Sequence, residues 1–187
     1  MSVSTNDLQN GMTLDMDGTL FTVIEFQHVK PGKGGAFVRT KLRNVKTGAV
    51  VDRTLNAGVK VEVAIVEKKE MQYLYADGDH FVFMDNQTYD QHTVPAAVLG
   101  ESSDYLAEGQ TAVVAIHEGA AISVELPASV TLSVKKTDPG VKGDRVSGAL
   151  KPATLETGLE VQVPLFVEEG DRLKVDTRSG AYLEREK

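Results

Sequence analysis

The sequence predicts an all-β protein of three small β-barrels in tandem. Alternation of apolar and polar residues with a period of two runs along most of the 187 residues. Turn signals such as Asp17-Gly18, Asp77-Gly78 and Glu118-Gly119 separate these runs at short intervals. The pattern restarts after Glu67 and again after Pro127, giving stretches of about 60 residues, the size of a five-stranded oligonucleotide-binding barrel. The expected domains are residues 1–64, 65–127 and 128–187.

In the first stretch Met12, Leu14 and Met16 alternate into Asp17-Gly18, and residues 20–29 follow as the partner strand. A type I′ turn needs positive φ at both central residues, which Asp-Gly tolerates. Residues 37–45 return after a turn rich in Pro and Gly, Lys46-Thr47-Gly48 turns again, and Val59, Val61, Val63 and Ile65 alternate with Lys60 and Glu62. About five strands are expected here, enough for a small closed barrel.

In the second stretch residues 71–75 and 81–84 form a hairpin about Asp77-Gly78, with Tyr73 and Tyr75 on one face. Residues 88–94 add a strand, and residues 112–117 and 122–126 pair across Glu118-Gly119. Residues 95–99 and 103–108 are the only helical pieces. In the third, strands are expected at 130–134, 161–167, 173–175 and 182–183, with a loop at 137–144, a segment at 153–158, and turns at 168–171 and 177–180.

Composition removes several function classes. No apolar run approaches the ~20 residues of a membrane-spanning helix, and the N-terminus lacks the basic-then-apolar order of a secretory signal. There is no cysteine, hence no disulfide, thiolate metal site or cysteine nucleophile. The cytoplasm is the expected location. His28, His80, His92 and His117 are scattered without metal-ligand spacing, and no Gly-x-Ser-x-Gly elbow or calcium-loop spacing occurs. Gly32-Lys33-Gly34 lacks the upstream glycine and following Ser/Thr of a phosphate loop and joins two strands. The expectation is therefore no enzyme, no metal and no cofactor.

Charge is more telling. The net −7 divides into +2, −9 and 0 over the three stretches. Lys30, Lys33, Arg39, Lys41, Arg43 and Lys46 are basic with no acid between them. Lys33 sits at the tip of Lys30-Pro31-Gly32-Lys33-Gly34-Gly35, where Pro31 stiffens one arm and three glycines permit close backbone approach. A plain hairpin turn needs fewer glycines. Alternation places Arg39, Lys41 and Arg43 on one strand face, a track for a nucleic-acid backbone. The acidic middle stretch is expected to face protein or solvent. Read from the residues alone, Lys33 is an exposed cation on a stiff turn that suits any polyanion, and a general RNA-binding protein of tandem barrels is one reading.

Two motifs carry a resemblance to a known family. The run from Lys30 to Phe37 resembles the first-domain loop of bacterial elongation factor P. Lys151, Ala153, Gly158, Val161, Val163, Pro164, Val167 and Gly170 match every specified position of that family's C-terminal signature. The resemblance covers the full chain. It implies an SH3-like (KOW-like) first domain and two OB-folds in an L-shaped, tRNA-like arrangement. It also implies a monomeric, non-enzymatic elongation factor that binds the 70S ribosome between the P and E sites, touching rRNA and P-site peptidyl-tRNA and relieving stalling at consecutive prolines. Lys33 matches the tip that approaches the tRNA CCA end. Lys30, Pro31, Gly32, Gly34, Gly35, Arg39, Lys41 and Arg43 surround it. Gly143-Asp144 match the start of a third-domain loop near the E-site codon, with Arg145 where the family usually has a small hydroxyl residue. Family members carry a lysylated, an aminopentanol-bearing or a bare lysine, or a rhamnosylated arginine, at the tip. Lys33 leaves the lysine branches, and with them a modifying enzyme as a further expected partner. Bare-lysine members tend to have proline two residues later, where Gly35 stands.

Overall fold

The structure, a computed structural model, describes residues 1–140 and 148–187. They form two compact units, one of Met1–Lys68 with Ala115–Ser123, the other of Lys69–Val114 with Val124–Lys187. Three antiparallel sheets make up the chain, as the alternation predicts.

The first sheet contains β1 (Ser2–Ser4), β2 (Thr13–Met16), β3 (Thr19–Val29), β4 (Phe37–Asn44), β5 (Val50–Asn56) and β6 (Lys60–Val63), in the order β1-β6-β2-β3-β4-β5. The β2–β3 turn is of the predicted kind: Asp17 and Gly18 have φ of 55° and 81°, and the Gly18 N–H donates to Asp15 Oδ1 at 2.8 Å. Leu8, Leu14, Phe21, Val23, Val38 and Leu42 make the core, each worth roughly 1.5–3 kcal/mol of transfer free energy when fully buried. Two strands escape the sequence pattern. The polar β1 is too short to alternate and is defined by pairing with Lys60, Val61 and Glu62. As an edge strand, β5 exposes most of its side chains; Val51 and Leu55 turn half-buried onto the core but the exposed Arg53 lies between them, which blurs the period of two.

The second sheet has the order β11-β10-β7-β8-β9, where β7 is Glu67–Asp77, β8 His80–Asp85, β9 Gln91–Pro95, β10 Thr111–His117 and β11 Ala120–Glu125. Its buried apolar residues include Met71, Tyr73, Phe83, Val94, Leu99 and Val114. Two expectations are corrected. The β7–β8 pairing Asp77↔His80 makes Gly78-Asp79 the turn, shifted by one residue, and Gly78 carries the positive φ. Tyr73 and Tyr75 do not share a face: a bulge between them leaves Tyr73 buried against Phe83 (centroids 5.5 Å apart) and Tyr75 exposed. Glu118-Gly119 does form a turn with both φ positive. The helical pieces of this stretch are α1 (Ala96–Leu99) and a 3-10 helix at Gly100–Tyr105, which starts before the expected 103. A further 3-10 turn, at Thr5–Asp7 in the first stretch, was not expected and is capped by Ser4, whose side chain accepts the Asn6 N–H.

Residues 88–90 do not join a strand because Asp85 claims them for a turn. Its Oδ1 accepts the N–H groups of Gln87 (2.8 Å) and Thr88 (3.2 Å), and Lys69 Nζ stands 3.4 Å from its other oxygen. Those backbone N–H groups, then Lys69, lower the Asp85 pKa against the opposing effect of burial. A carboxylate whose pKa falls on folding stabilises fully above its ordinary range and loses that contribution as pH drops through the folded-state value. Asp85→Asn is therefore expected to melt several degrees lower at neutral pH. It should also show a shallower loss of Tm on acidification from pH 7 to about pH 3. Parallel pH–Tm curves for the two proteins would contradict this.

The third sheet has the order β14-β13-β12-β15-β16, with β12 at Ser129–Thr137, β13 at Leu150–Leu155, β14 at Glu160–Pro164, β15 at Arg172–Asp176 and β16 at Tyr182–Glu186. Among the described residues Leu132, Leu155 and Leu173 are in its buried core. Here β14 stops at Pro164, short of residue 167, since proline offers no N–H to continue the ladder. Within the second unit, Tyr105 and Ala107 pack against this core, and Gln110 Nε2 donates to Thr131 O at 3.1 Å.

Candidate nucleic-acid interface

The Lys33 loop grows from the longest hairpin of the first sheet. Strands β3 and β4 pair from Phe21↔Asn44 out to Val29↔Phe37, leaving residues 30–36 as the tip. Lys30, Pro31, Gly32, Lys33, Gly34 and Gly35 are all exposed. The returning arm is held at its root, where Ala57 N–H donates to Ala36 O at 3.0 Å. Among the described residues no carboxylate pairs with the Lys33 ammonium. It is a hydrated point charge on a four-carbon stem, free to meet a phosphate.

The three glycines are not equivalent. Gly34 has φ of +107°, a backbone that side chains rarely adopt. A Cβ on Gly32 or Gly35 would meet nothing within 4 Å, and neither has positive φ. The free protein needs glycine at 34 alone; bareness at 32 and 35 suits something that lies against the loop. Gly34→Ala is expected to cost roughly 1 kcal/mol. Gly32→Ala and Gly35→Ala should be neutral, or stabilising by about 0.4–1 kcal/mol, in thermal denaturation. Equal losses at all three would show that the tip itself requires every glycine.

On β4 the predicted alternation holds: Val38, Thr40 and Leu42 are buried while Arg39, Lys41 and Arg43 are exposed. The inward Thr40 is satisfied by donating to Arg53 O at 2.8 Å. Arg39 stacks 5.7 Å from the Phe37 ring centroid. Lys41 has acidic neighbours on both sides. Glu25 lies opposite on β3, with its Oε2 3.8 Å from Lys41 Nζ, and Asp52 lies opposite on β5. The sequence reading missed both, because they are far from Lys41 in the chain; only strand register brings them there.

Gly143, Asp144 and Arg145 lie outside the described residues. The flanks of their segment are well anchored. Thr137 Oγ1 donates to Pro152 O at 3.0 Å, and Lys151, 7% exposed, donates from Nζ to Asp138 O. The C-terminal signature proves to be a folding motif. Ala153, Val161, Val163 and Val167 are core residues, Gly158 and Gly170 have φ of 89° and 88°, and Pro164 ends β14. Its recognition value thus comes from packing and turns, and the chemistry must sit elsewhere. Among the described residues no cluster of His, Asp or Glu could hold a metal ion, and no helix is long and apolar enough to cross a membrane. His28 stacks edge-on against Phe26 at 5.6 Å, and His117 Nδ1 lies 2.8 Å from Ile65 O, both structural placements.

Comparison with known proteins agrees across the chain. Family models match residues 4–61 (elongation factor P KOW-like domain), 66–124 (elongation factor P OB domain) and 130–185 (elongation factor P, C-terminal). Relatives called elongation factor P are 63% identical in Acidothermus cellulolyticus and Frankia casuarinae and 59% in Kocuria rhizophila. Each match covers 97% of both chains. Among solved structures, translation initiation factor 5A from Methanococcus jannaschii aligns over 66% of this chain and 93% of its own, at 26% identity and TM-score 0.52. A factor 5A family protein from Naegleria fowleri, 14% identical, matches in fold with TM-score 0.51 over 67% of this chain and 98% of its own. The fold is thus a KOW-like barrel followed by OB-type barrels, and the chain belongs to the elongation factor P family of translation elongation factors.

Proposed function

We propose that this factor binds the 70S ribosome between the P and E sites and restores peptide-bond formation at consecutive prolines. The Lys33 loop holds the CCA end of the P-site peptidyl-tRNA. The observation that carries the reading is the exposed Lys33, paired with no described carboxylate, at the end of the β3–β4 hairpin in a chain of this family. Proline's ring restricts its approach to the peptidyl ester. A factor that holds the reactants in near-attack geometry removes a barrier without donating or accepting a proton. Lys33 contributes charge and contact to the tRNA backbone, and Lys30, Arg39, Lys41 and Arg43 supply further phosphate contacts. Gly143, Asp144 and Arg145 approach the E-site codon, and rRNA completes the contact surface.

The protein acts as a cytoplasmic monomer without enzymatic activity, in three domains of residues 1–64, 65–127 and 128–187. The acidic middle domain faces protein or solvent, as its −9 suggests. A modifying enzyme that extends Lys33 is a further partner, which intact-protein mass spectrometry on native material would reveal as an added mass.

The absence of cysteine makes a direct test simple. Lys33→Cys places a single thiol at the tip for a tethered hydroxyl-radical probe. On 70S ribosomes with P-site tRNA, cleavage is expected at the tRNA 3′ end and adjacent rRNA. Cleavage spread over the ribosome without a focus at the CCA end would overturn the placement.

A further inference from the structure

Arg39, Lys41 and Arg43 stand about 7 Å apart along one face of β4, by the rise of a strand. Such an open row of three cations would attach to phosphate backbones of any sequence, because counterion release rewards each neutralised phosphate whatever the base. A factor with one working site would then be titrated by the bulk RNA of its surroundings.

The sheet counters this at a single point. On β3, Glu25 faces Lys41, 3.8 Å from its amine; on β5, Asp52 faces it from the other side. The flanking cations have neutral cross-strand neighbours: Gln27 and Thr54 for Arg39, Thr22 and Val50 for Arg43. Glu25, Arg39, Lys41 and Asp52 all line one shallow depression of about 380 Å³. The row thus reads plus, bracketed plus, plus, with the ion pair at its middle open to solvent.

We propose that Glu25 and Asp52 are specificity-determining residues that mask Lys41 and hold down attachment to RNA at large. Attachment at the working site then depends on the Lys33 tip, which has no such bracket. This rests on the reading that the β4 face meets RNA. Cross-strand ion pairs also stabilise sheets modestly, so a purely structural role is the rival account.

The test measures binding of the full chain and of Glu25→Gln/Asp52→Asn to a labelled poly(U) strand of about 20 nucleotides, over salt from about 50 to 200 mM. Unmasking one cation should steepen the slope of log K against log salt by about 0.7 and tighten binding roughly five- to tenfold at the low-salt end. Adding Lys41→Ala should cancel the gain. Asp7→Asn/Glu62→Gln, an equal change of net charge elsewhere on the first barrel, should not reproduce it. An unchanged slope, an equal gain in that control, a gain surviving Lys41→Ala, or a lowered Tm with unaltered RNA binding would each overturn the proposal. The reading beneath it fails separately, if Arg39→Ala/Arg43→Ala leaves binding to the 70S ribosome and to poly(U) unchanged.

Discussion

Lys33→Ala is expected to lower stimulation of proline–proline synthesis by tenfold or more in a reconstituted translation assay, while synthesis of a proline-free peptide stays unchanged. Each factor of ten corresponds to about 1.4 kcal/mol of barrier, a fraction of what positioning can supply. Stability should not change, because Lys33 is exposed and pairs with no described carboxylate. Unaltered melting beside lost activity separates a functional tip from a folding residue. Lys33→Arg keeps the charge but replaces a compact ammonium with a planar fork, so partial activity is expected. If Lys33→Ala stimulates as well as the parent, the ribosomal reading fails and the general RNA-binding alternative gains.

Gly140→Ala is expected to cost about 1–3 kcal/mol by overpacking, read as a lower Tm. A Cβ built there lies 2.6 Å from Leu165 O and 3.4 Å from Leu165 C and Cβ, so the clash is with backbone, which cannot swing aside as a side chain would. Residues 137–138 are tied to β13 through Thr137 Oγ1–Pro152 O and Lys151 Nζ–Asp138 O. Leu165 sits between Pro164, which ends β14, and the fully buried Val167. Gly35→Ala, in open space at negative φ, is the neutral comparison. Because Gly140 leads into the segment of Gly143 and Asp144, activity is expected to fall with stability. Equal melting temperatures for Gly140→Ala and the parent would show that the Leu165 carbonyl can yield.

Local chemistry made much of the fold legible. Asp17-Gly18 and Glu118-Gly119 turn where two positive φ angles are needed, and that requirement is written in two adjacent residues. The face of β4 was legible because burial on one side enforces a period of two. Where that enforcement lapses, the pattern misleads. The β7 bulge turns Tyr75 away from Tyr73, the exposed Arg53 interrupts the core-facing positions of the edge strand β5, and the side chain of Asp85 takes residues 87–88 into a turn. Each depends on a partner outside its own segment.

The candidate site divides along the same line. The family is readable in the chain alone, through a C-terminal motif whose residues are core and turns. So is the tip, because Lys33 between Pro and three glycines is a local arrangement that needs no partner to be recognised. Which glycine the loop itself requires, and that Glu25 and Asp52 bracket Lys41, emerge with the folded sheet. The physical reason is range. Turn chemistry and alternation act over a few residues, whereas strand register joins side chains 11 and 16 positions apart and so sets which charges are free.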